Sequence, residues 1–372
     1  MSKLGVHVAS DNRTGFGDLL DAGAACVVAV DHDVVAEVRR RAPAAVIAFR
    51  TQKSPLGADN PPNLLARPAI ADEWMESLYP IWERVPGADY YIVNNELDVS
   101  TLASAEALND FYLRCMASAE AHGYKIGICS FSTGCPSDDA GITMEQRWGP
   151  LLPAVEHAAN SGHVIVLHAH AMDGRTLQNS GRDIALRHER SLEFFALHGL
   201  FPKALIGEMS NGVGGVERSL GEYIANVTWW DQKAMSSIWR EQVIGGALYG
   251  FNAAESIAEA VPQLVSWIRA HPTPSVPVTP QVVRTYERVA RLVPPSVKID
   301  VNDPRYLAIV AAAGPGRESI IASADDAFIL SPHCMRRMVY VYNVSEYGGR
   351  AALEKWVLDN YAPLPEIAYL EV

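Results

Sequence analysis

The feature that most constrains the fold of this 372-residue chain is a regular alternation of short apolar runs with stretches long enough for a helix. Eight of the runs predict β-strands, because they are rich in aliphatic and β-branched residues. Several are apolar at consecutive positions, as in Val164–Leu167, which is typical of strands buried on both faces of a parallel sheet. The predicted strands are Leu4–Ala9, Cys26–Val30, Ala45–Phe49, Asp89–Asn94, Lys125–Ser130, His163–His168, Ala204–Gly207 and Ala247–Phe251.

The stretches between these strands predict helices. Asp183 and Asp231 stand where an N-cap is expected, and Gly123 and Gly199 follow two of the helix ends, where a left-handed residue is favoured. A short additional helix is expected in the first connection, 12–22. The other predicted helices are Val34–Arg41, Asp72–Arg84, Ser104–His122, Trp148–Asn160, Asp183–His198, Asp231–Val243 and Ser256–Ala270.

Eight strand–helix units in about 270 residues match the length of a closed (β/α)₈ barrel, the TIM barrel. The structural alternative is an open, doubly wound sheet, which carries a glycine-rich phosphate-binding turn after its first strand. Residues 10–15 (Ser-Asp-Asn-Arg-Thr-Gly) lack that fingerprint. We therefore predict an α/β protein with a TIM barrel over residues 1–270.

The pattern changes after the barrel. Residues 271–280 contain four prolines, which are incompatible with a helix interior or a central strand, so we predict a proline-rich linker. Residues 281–372 are predicted to form a small α+β accessory domain of unknown role. Its expected elements are two helices and two strands, at Gln281–Leu292, Ala351–Leu358, Ser319–Ala322 and Met338–Asn343.

Composition excludes several classes of function. The net charge is −12, and the one basic cluster, Arg39–Arg41, ends a predicted helix, so a nucleic-acid partner is not expected. No apolar run is long enough to span a membrane. The five cysteines form no Cys-x-x-Cys pair, which argues against a disulfide framework or a zinc–thiolate site. The N-terminus leads directly into a strand without signal-peptide features, which predicts a cytoplasmic protein or one released without a signal peptide. The oligomeric state stays open.

In a TIM barrel the side chains that act on substrates lie at the carboxyl ends of the strands. Glu96 and Glu208 end the fourth and seventh apolar strands, where an unpaired carboxylate costs several kcal/mol to bury. These two strands lie on opposite sides of an eight-stranded barrel, so the glutamates are expected to face each other across its mouth. Other polar residues at predicted strand ends are His7, Asp31, Arg50, Asn95, Ser130, Ser132, His168, His170 and Asn252.

Two opposed carboxyl groups suit the cleavage of a glycosidic bond. One group has to donate a proton to the leaving oxygen, while the other has to be ionised to attack or stabilise the anomeric carbon. Their separation decides the stereochemistry: about 5–5.5 Å allows direct attack and retention, whereas about 6.5–9.5 Å accommodates a water molecule and gives inversion.

The pair Asn95-Glu96 at the end of strand four, together with Glu208 at the end of strand seven, resembles the retaining glycoside hydrolases built on (β/α)₈ barrels, often called clan A. The resemblance implies that Glu96 is the acid/base, that Asn95 binds the sugar 2-hydroxyl and that Glu208 is the nucleophile. It also implies an oligo- or polysaccharide substrate and no cofactor. The superfamily commonly places a tryptophan at the end of strand eight, where this chain offers Tyr249 and Phe251 instead.

Further residues are candidates for substrate binding. Strand alternation places His168 and His170 on the same side, facing the mouth, where either could bind Glu208 or a sugar hydroxyl. A metal pair is the alternative, but barrel amidohydrolases carry such histidines on strand one and an aspartate on strand eight, where this chain has His7 and Asn252. We therefore predict no metal. The remaining candidates are His7, Arg50, Trp148, Phe251 and Asn252, with a structural ion pair the alternative for Arg50 and core packing for Trp148, as for Trp229 and Trp230.

Two other functions stay open on the sequence alone. The glycine-rich segment Gly212–Gly215 is placed like the phosphate-binding loop of a barrel isomerase or aldolase, but no predicted strand ends in the lysine that such chemistry needs. A non-catalytic carbohydrate-binding barrel is the other alternative.

Overall fold

The computed structural model describes residues 1–9, 13–52, 54, 56, 59–61, 64, 67, 69–97, 99, 101–136, 143–171, 174–210, 219–249 and 256–272, and the backbone of four later strands. The chain divides into two compact units. The first comprises Met1–Phe195 and Leu200–Ser275, and the second comprises Ala196–Gly199 and Val276–Val372.

The first unit contains a closed barrel of eight parallel strands in sequential order. Gly5 of the first strand pairs with Ala247 of the eighth, and this ladder closes the barrel. The TIM-barrel prediction is therefore confirmed. The strands are β1 (Leu4–Val8), β2 (Cys26–Ala29), β3 (Val46–Arg50), β4 (Tyr90–Ile92), β5 (Ile126–Phe131), β6 (Val164–His170), β7 (Lys203–Ser210) and β8 (Val243–Leu248).

Helices occupy the connections between the strands. Among the helices that the structure describes, none combines the length and apolar character needed to cross a bilayer. The helices are α1 (Phe16–Ala22), α2 (His32–Arg41), α3 (Ile70–Trp82), α4 (Leu102–Ala121), α5 (Met144–Trp148), α6 (Leu152–Ser161), α7 (Leu177–Ser180), α8 (Arg187–Leu197), α9 (Leu220–Ser236) and α10 (Ser256–Ala270).

The predicted helix Trp148–Asn160 is two helices. A 3₁₀ turn at Gly149–Leu151 separates α5 from α6, and prolines at positions 150 and 153 stand in the first turns of the 3₁₀ segment and of α6. Proline lacks a backbone N–H and is therefore best placed in a first turn, where no intrahelical partner is required. The expected left-handed glycines are confirmed, with φ values of 75° at Gly123 and 74° at Gly199.

The N-caps predicted at Asp231 and Asp183 are wrong. Asp231 lies inside α9 and is fully buried, and it accepts hydrogen bonds from Ser2 Oγ (2.8 Å), the Lys3 backbone N–H (2.6 Å) and Trp267 Nε1 (2.7 Å). The cap of α9 is Ser219, twelve residues earlier, and β8 accordingly begins at Val243. Asp183 lies in the turn that precedes α8.

The centre of the barrel is apolar and tightly packed beneath the strand ends. A Cβ at Gly207 would lie 2.7 Å from Val166 Cγ1, so only glycine fits immediately before Glu208. The packing therefore fixes the position at which β7 emerges from the core. The members of this core are Cys26, Val28, Ala48, Ile92, Val164, Val166, Leu205 and Ala247.

The second unit contains a four-stranded parallel sheet in the order β10-β9-β11-β12. The strands predicted near 319–322 and 338–343 are confirmed, whereas the helix predicted over 281–292 is wrong from residue 288 onward. β9 pairs with a strand on each side, and this pairing outweighs the helical spacing of its residues. The helix predicted at 351–358 and residues 273–280 of the predicted linker lie outside the described residues. The strands are β9 (Arg288–Val293), β10 (Ser319–Ser323), β11 (Met338–Asn343) and β12 (Glu366–Leu370).

A buried histidine is expected to make the barrel sensitive to acid. His188 of α8 is fully buried, with its ring centre 6.0 Å from that of Trp230, and burial lowers its pKa from 6.5 to about 3. Between pH 6.5 and pH 3, His188 is protonated in the unfolded chain but neutral in the folded chain. Its contribution to the stability of the fold is therefore complete above pH 6.5 and is lost as the pH falls towards 3. We expect His188 to lower the free energy of unfolding by about 1.4 kcal/mol per pH unit in this range.

Urea unfolding of His188→Leu between about pH 6.5 and pH 4.5 tests this expectation. The variant should lose less stability on acidification than the unmodified chain, and His122→Leu, which changes an exposed histidine, should not. Equal pH slopes for His188→Leu and the unmodified chain would show that His188 does not carry the effect.

Candidate active site

The segment after β4 is held in a strained conformation beside β5. Glu96 has a φ of 50°, in the left-handed region that costs a non-glycine residue about 1 kcal/mol. Its backbone N–H donates to the Ser130 carbonyl (2.8 Å), and Asn94 Nδ2 donates to the Cys129 carbonyl (3.1 Å). Cys129 and Ser130 also have positive φ values, at a bulge in β5. The bulge and the hydrogen bonds fix the direction in which Glu96 projects.

Glu208 lies near the end of β7, with only 5% of its surface exposed. It stands opposite His168 in the ladder between β6 and β7, where the register shifts by a bulge. One carboxylate oxygen, Oε1, accepts a hydrogen bond from Arg50 Nη1 and lies 3.9 Å from His7 Nε2. The other oxygen, Oε2, lies 3.1 Å from His170 Nε2 and 3.7 Å from His168 Nδ1. The two oxygens of Glu208 therefore have different surroundings.

Arg50 at the end of β3 links Glu208 to a second acidic residue. Its Nη2 lies 3.5 Å from Asp59 Oδ2, and the residue is almost completely buried. A buried guanidinium requires carboxylate partners of this kind. The structural ion pair considered for Arg50 is present and includes a candidate catalytic carboxylate.

The two histidines of β6 connect the glutamates. His168 Nδ1 lies 2.9 Å from Glu96 Oε1, and His168 Nε2 lies 3.2 Å from Ser130 Oγ. His170 uses Nε2 for Glu208 and Nδ1 for Ser210 Oγ, at 2.7 Å. Each imidazole therefore contacts a carboxylate with one nitrogen and a serine hydroxyl with the other.

The two glutamates come close together at the mouth of the barrel. One oxygen of Glu96, one oxygen of Glu208 and one nitrogen each of His168 and His170 all lie within 4.8 Å of one another. Glu96 is the more exposed of the two, with 39% of its side chain accessible against 7% for Glu208. The expected convergence over a shared site is present.

The surroundings lower the pKa of both glutamates. The hydrogen bond with His168 lowers the pKa of Glu96, against an opposing effect of burial. Burial raises the pKa of Glu208, but the charge of His168, the hydrogen bond with His170 and the charge of Arg50 outweigh it and hold the pKa well below its usual range. Complete burial lowers the pKa of His7 to about 3, so His7 is neutral at pH 7. Glu208 is thus held as an anion beside a neutral imidazole.

Two residues of the site, Asp59 and Asn60, were not predicted from the sequence. Asp59 and Asn60 belong to the long connection after β3, where no periodicity marks a functional position. Burial raises the pKa of Asp59, and the nearby charges of Glu208 and Glu96 raise it further, against the opposing effect of Arg50. Asn60 Oδ1 accepts a hydrogen bond from the Asn95 backbone N–H at 2.9 Å.

Other predicted residues are placed as follows. Asn95 accepts a hydrogen bond from Ser130 Oγ at 3.3 Å, at the edge of the site. Tyr249, which follows β8, lies with its ring centre 5.3 Å from those of His7 and His170, so an aromatic side chain stands near the glutamates. Asp31 caps α2 instead of facing the site.

Trp148 does not belong to the site, and its prediction as a sugar-binding residue is wrong. It is only 2% exposed and packs against Phe131 and Phe195, with ring centres 5.7 and 4.8 Å away. Trp230 is likewise buried, donating to the Ala185 carbonyl. Phe251, Asn252 and the segment 212–215 lie outside the described residues.

No protein-family model matches the chain, and no curated protein matches it either. Solved structures that align with it include an exo-β-1,4-mannosidase from an Opitutaceae bacterium, at 11% identity over 92% of this chain and 77% of that chain, with a TM-score of 0.41. A glycoside hydrolase family 5 enzyme from Prevotella bryantii in complex with a xyloglucan tetradecasaccharide aligns at 12% identity over 72% of this chain and 96% of that chain, with a TM-score of 0.46. An endo-β-1,4-glucanase from Xanthomonas axonopodis aligns at 11% identity over 73% of this chain and 100% of that chain, with a TM-score of 0.43.

Proposed function

We propose that this chain is a retaining glycoside hydrolase that acts on oligo- or polysaccharides, with Glu208 as the nucleophile and Glu96 as the acid/base. The observation that carries the proposal is the approach of the two carboxylates to within 4.8 Å at the strand ends. This approach of one oxygen from each group supports the retaining arrangement, in which the carboxyl groups stand about 5–5.5 Å apart, over the wider inverting arrangement of about 6.5–9.5 Å.

Glu208 has the properties of a carboxylate nucleophile. Arg50 holds Oε1 and thereby orients the group, which leaves Oε2 directed towards His168 and His170. Its low pKa keeps it ionised, so Oε2 can form a bond to the anomeric carbon as the bond from that carbon to the leaving oxygen breaks. Burial keeps water away from the anion, which strengthens its attraction to the positive charge that develops on the sugar.

Glu96 is suited to the proton transfers. The hydrogen bond with His168 lowers the pKa of Glu96, and burial and the negative charge of Glu208 oppose that lowering. For Glu96 to act as the acid, a bound sugar has to add to the opposing effects by covering the side chain. Once Glu208 is bound to the sugar, that charge is gone and the pKa of Glu96 falls. Glu96 is then ionised and can accept a proton from the water that releases the sugar, as the two-step reaction requires.

We also propose that the two parts of the chain have different roles. The barrel, 1–270, carries the catalytic residues, and residues 281–372 form an accessory domain beyond the proline-rich segment 271–280.

The experiment that tests this function is hydrolysis of a panel of aryl glycosides and oligosaccharides, followed by NMR of the sugar product in the first minutes. We expect turnover and a first product with the same anomeric configuration as the substrate. A product of inverted configuration would contradict direct attack by Glu208. Saturable sugar binding without turnover by any panel member would favour the carbohydrate-binding barrel instead.

A further inference from the structure

Four side chains of the site present an arrangement that suits a metal ion as well as a sugar. We call Glu96, His168, His170 and Glu208 the mouth quartet. The inward atoms are Glu96 Oε1, His168 Nδ1, His170 Nε2 and Glu208 Oε2, and contacts of 2.9, 3.1 and 3.7 Å connect them as a chain. A tetrahedral zinc ion with ligands at 2.0–2.1 Å keeps its ligand atoms about 3.3 Å apart. All pairs of these atoms lie within 4.8 Å, so the quartet has to contract by at most about 1.5 Å to reach that spacing.

The outward atoms of the quartet already contact other polar side chains, and these contacts fix the direction of the inward atoms. Ser130 Oγ contacts His168 Nε2, Ser210 Oγ contacts His170 Nδ1, and Arg50 binds Glu208 Oε1. Without a metal ion, the inward nitrogens donate to the two carboxylates. A serine hydroxyl can accept a hydrogen bond, so each ring can move its proton to the outward nitrogen and present the inward lone pair to a metal ion. Such outer partners fix the orientation and the tautomer of metal-binding histidines.

From this geometry we propose that the mouth quartet binds one divalent transition-metal ion, with Zn²⁺ as the best match. The two imidazole nitrogens favour Zn²⁺, which also binds carboxylate oxygens, whereas Mg²⁺ and Ca²⁺ require mainly oxygen ligands. The bound ion occupies Glu96 Oε1 and Glu208 Oε2 together, so neither carboxylate can take part in proton transfer or attack. The inhibitory consequence rests on the proposed hydrolase function, but the binding itself does not.

A second cluster with similar composition serves as a contrast. His157 and His163 both direct Nε2 at Glu120 Oε1, at 2.6 and 3.0 Å. His163 Nδ1 accepts a hydrogen bond from the Ile126 backbone N–H at 2.9 Å, so the proton of the neutral ring is on Nε2 and faces Glu120. A metal ion at Nε2 would have to displace that proton, and Nδ1 cannot take it up because it accepts from Ile126. The Glu120 cluster is therefore expected to bind zinc poorly.

The test measures metal binding by the full chain without substrate, in metal-free buffer and without an affinity tag. Calorimetric titration with ZnCl₂ is expected to show one tight site per chain, and Co²⁺ is expected to give the intense visible absorption of a tetrahedral site. His168→Asn and, separately, His170→Gln should each weaken zinc binding by about tenfold or more. His157→Asn, in the Glu120 cluster, should leave binding unchanged, and MgCl₂ should give no heat at the site.

The two histidine variants are tested separately because one of them can fail to fold. His170 is less buried than His168, so His170→Gln is expected to disturb the fold less. The absence of a tight zinc site would overturn the proposal, as would unchanged zinc binding in both histidine variants or its loss in His157→Asn. Each of these results would leave hydrolysis by the metal-free chain as a separate question. Conversely, zinc binding by a chain that turns over no glycoside would support the metal site and contradict the hydrolase.

Discussion

Glu208→Gln is expected to lower kcat by about 10⁴-fold or more on any glycoside that the unmodified chain cleaves. A glutamine amide is neutral and a poor nucleophile, so it can neither form the bond to the anomeric carbon nor stabilise the positive charge that develops there. Its amide oxygen can still accept from Arg50, and Asp59 remains 3.5 Å from Arg50 Nη2, so the fold should persist. Steady-state kinetics and the circular-dichroism spectrum of the same preparation measure both effects.

The matched control is Glu120→Gln. Glu120 also contacts two histidines, but His163 immediately precedes β6, so that cluster lies at the opposite end of the barrel from the strand ends. The control removes the same charge from beside two histidines, at a more exposed position, and is expected to keep kcat unchanged. Full activity of folded Glu208→Gln would refute the assignment of the nucleophile, and an equal loss in Glu120→Gln would indicate that both changes act through stability.

Glu96→Gln is expected to produce a loss that depends on the leaving group. A sugar or alkyl leaving group requires a proton from Glu96, and its release should slow by about 10²–10⁴-fold, the range typical of general acid catalysis. A dinitrophenyl group leaves without a proton, so its release should proceed almost normally as a burst. Release of the sugar from Glu208 then becomes slow, because no base activates the water. Rapid-mixing measurements of dinitrophenol release separate the two steps.

Sodium azide provides an independent check on Glu96→Gln. Azide is a nucleophile that needs no base, so it should accelerate turnover of the dinitrophenyl glycoside and yield a glycosyl azide of retained configuration. The same reagent should have no effect on Glu208→Gln, in which no intermediate forms. Equal losses for all leaving groups, together with no response to azide, would exclude Glu96 as the acid/base.

The barrel and its two glutamates were predictable because both depend on local pattern. A strand buried on both faces is apolar along its length, so a carboxylate such as Glu96 or Glu208 at its end is conspicuous. Asp59 was not predictable, because it lies in a connection without periodicity and meets Arg50 only in the folded chain. The error at Asp231 has a related cause: a side chain that resembles a cap in the sequence is buried by contacts with Ser2 and Lys3, more than two hundred residues away.

Trp148 illustrates a different limit. A tryptophan at a helix end is compatible with a solvent-exposed ring or with a buried one, and the choice depends on whether neighbours such as Phe131 and Phe195 cover it. Those neighbours belong to β5 and α8, which the sequence separates widely. Long-range packing of this kind has no local signature.

The contacts around Glu208 come from widely separated parts of the chain: His7 belongs to β1, Arg50 to β3, and His168 and His170 to β6. No fragment that contains only the first or only the last four strands carries this set. A nascent chain therefore completes the contacts around Glu208 only after the part of the barrel with β1 and β3 has met the part with β6 and β7. Turnover by the proposed enzyme would thus report that these two parts of the barrel have joined.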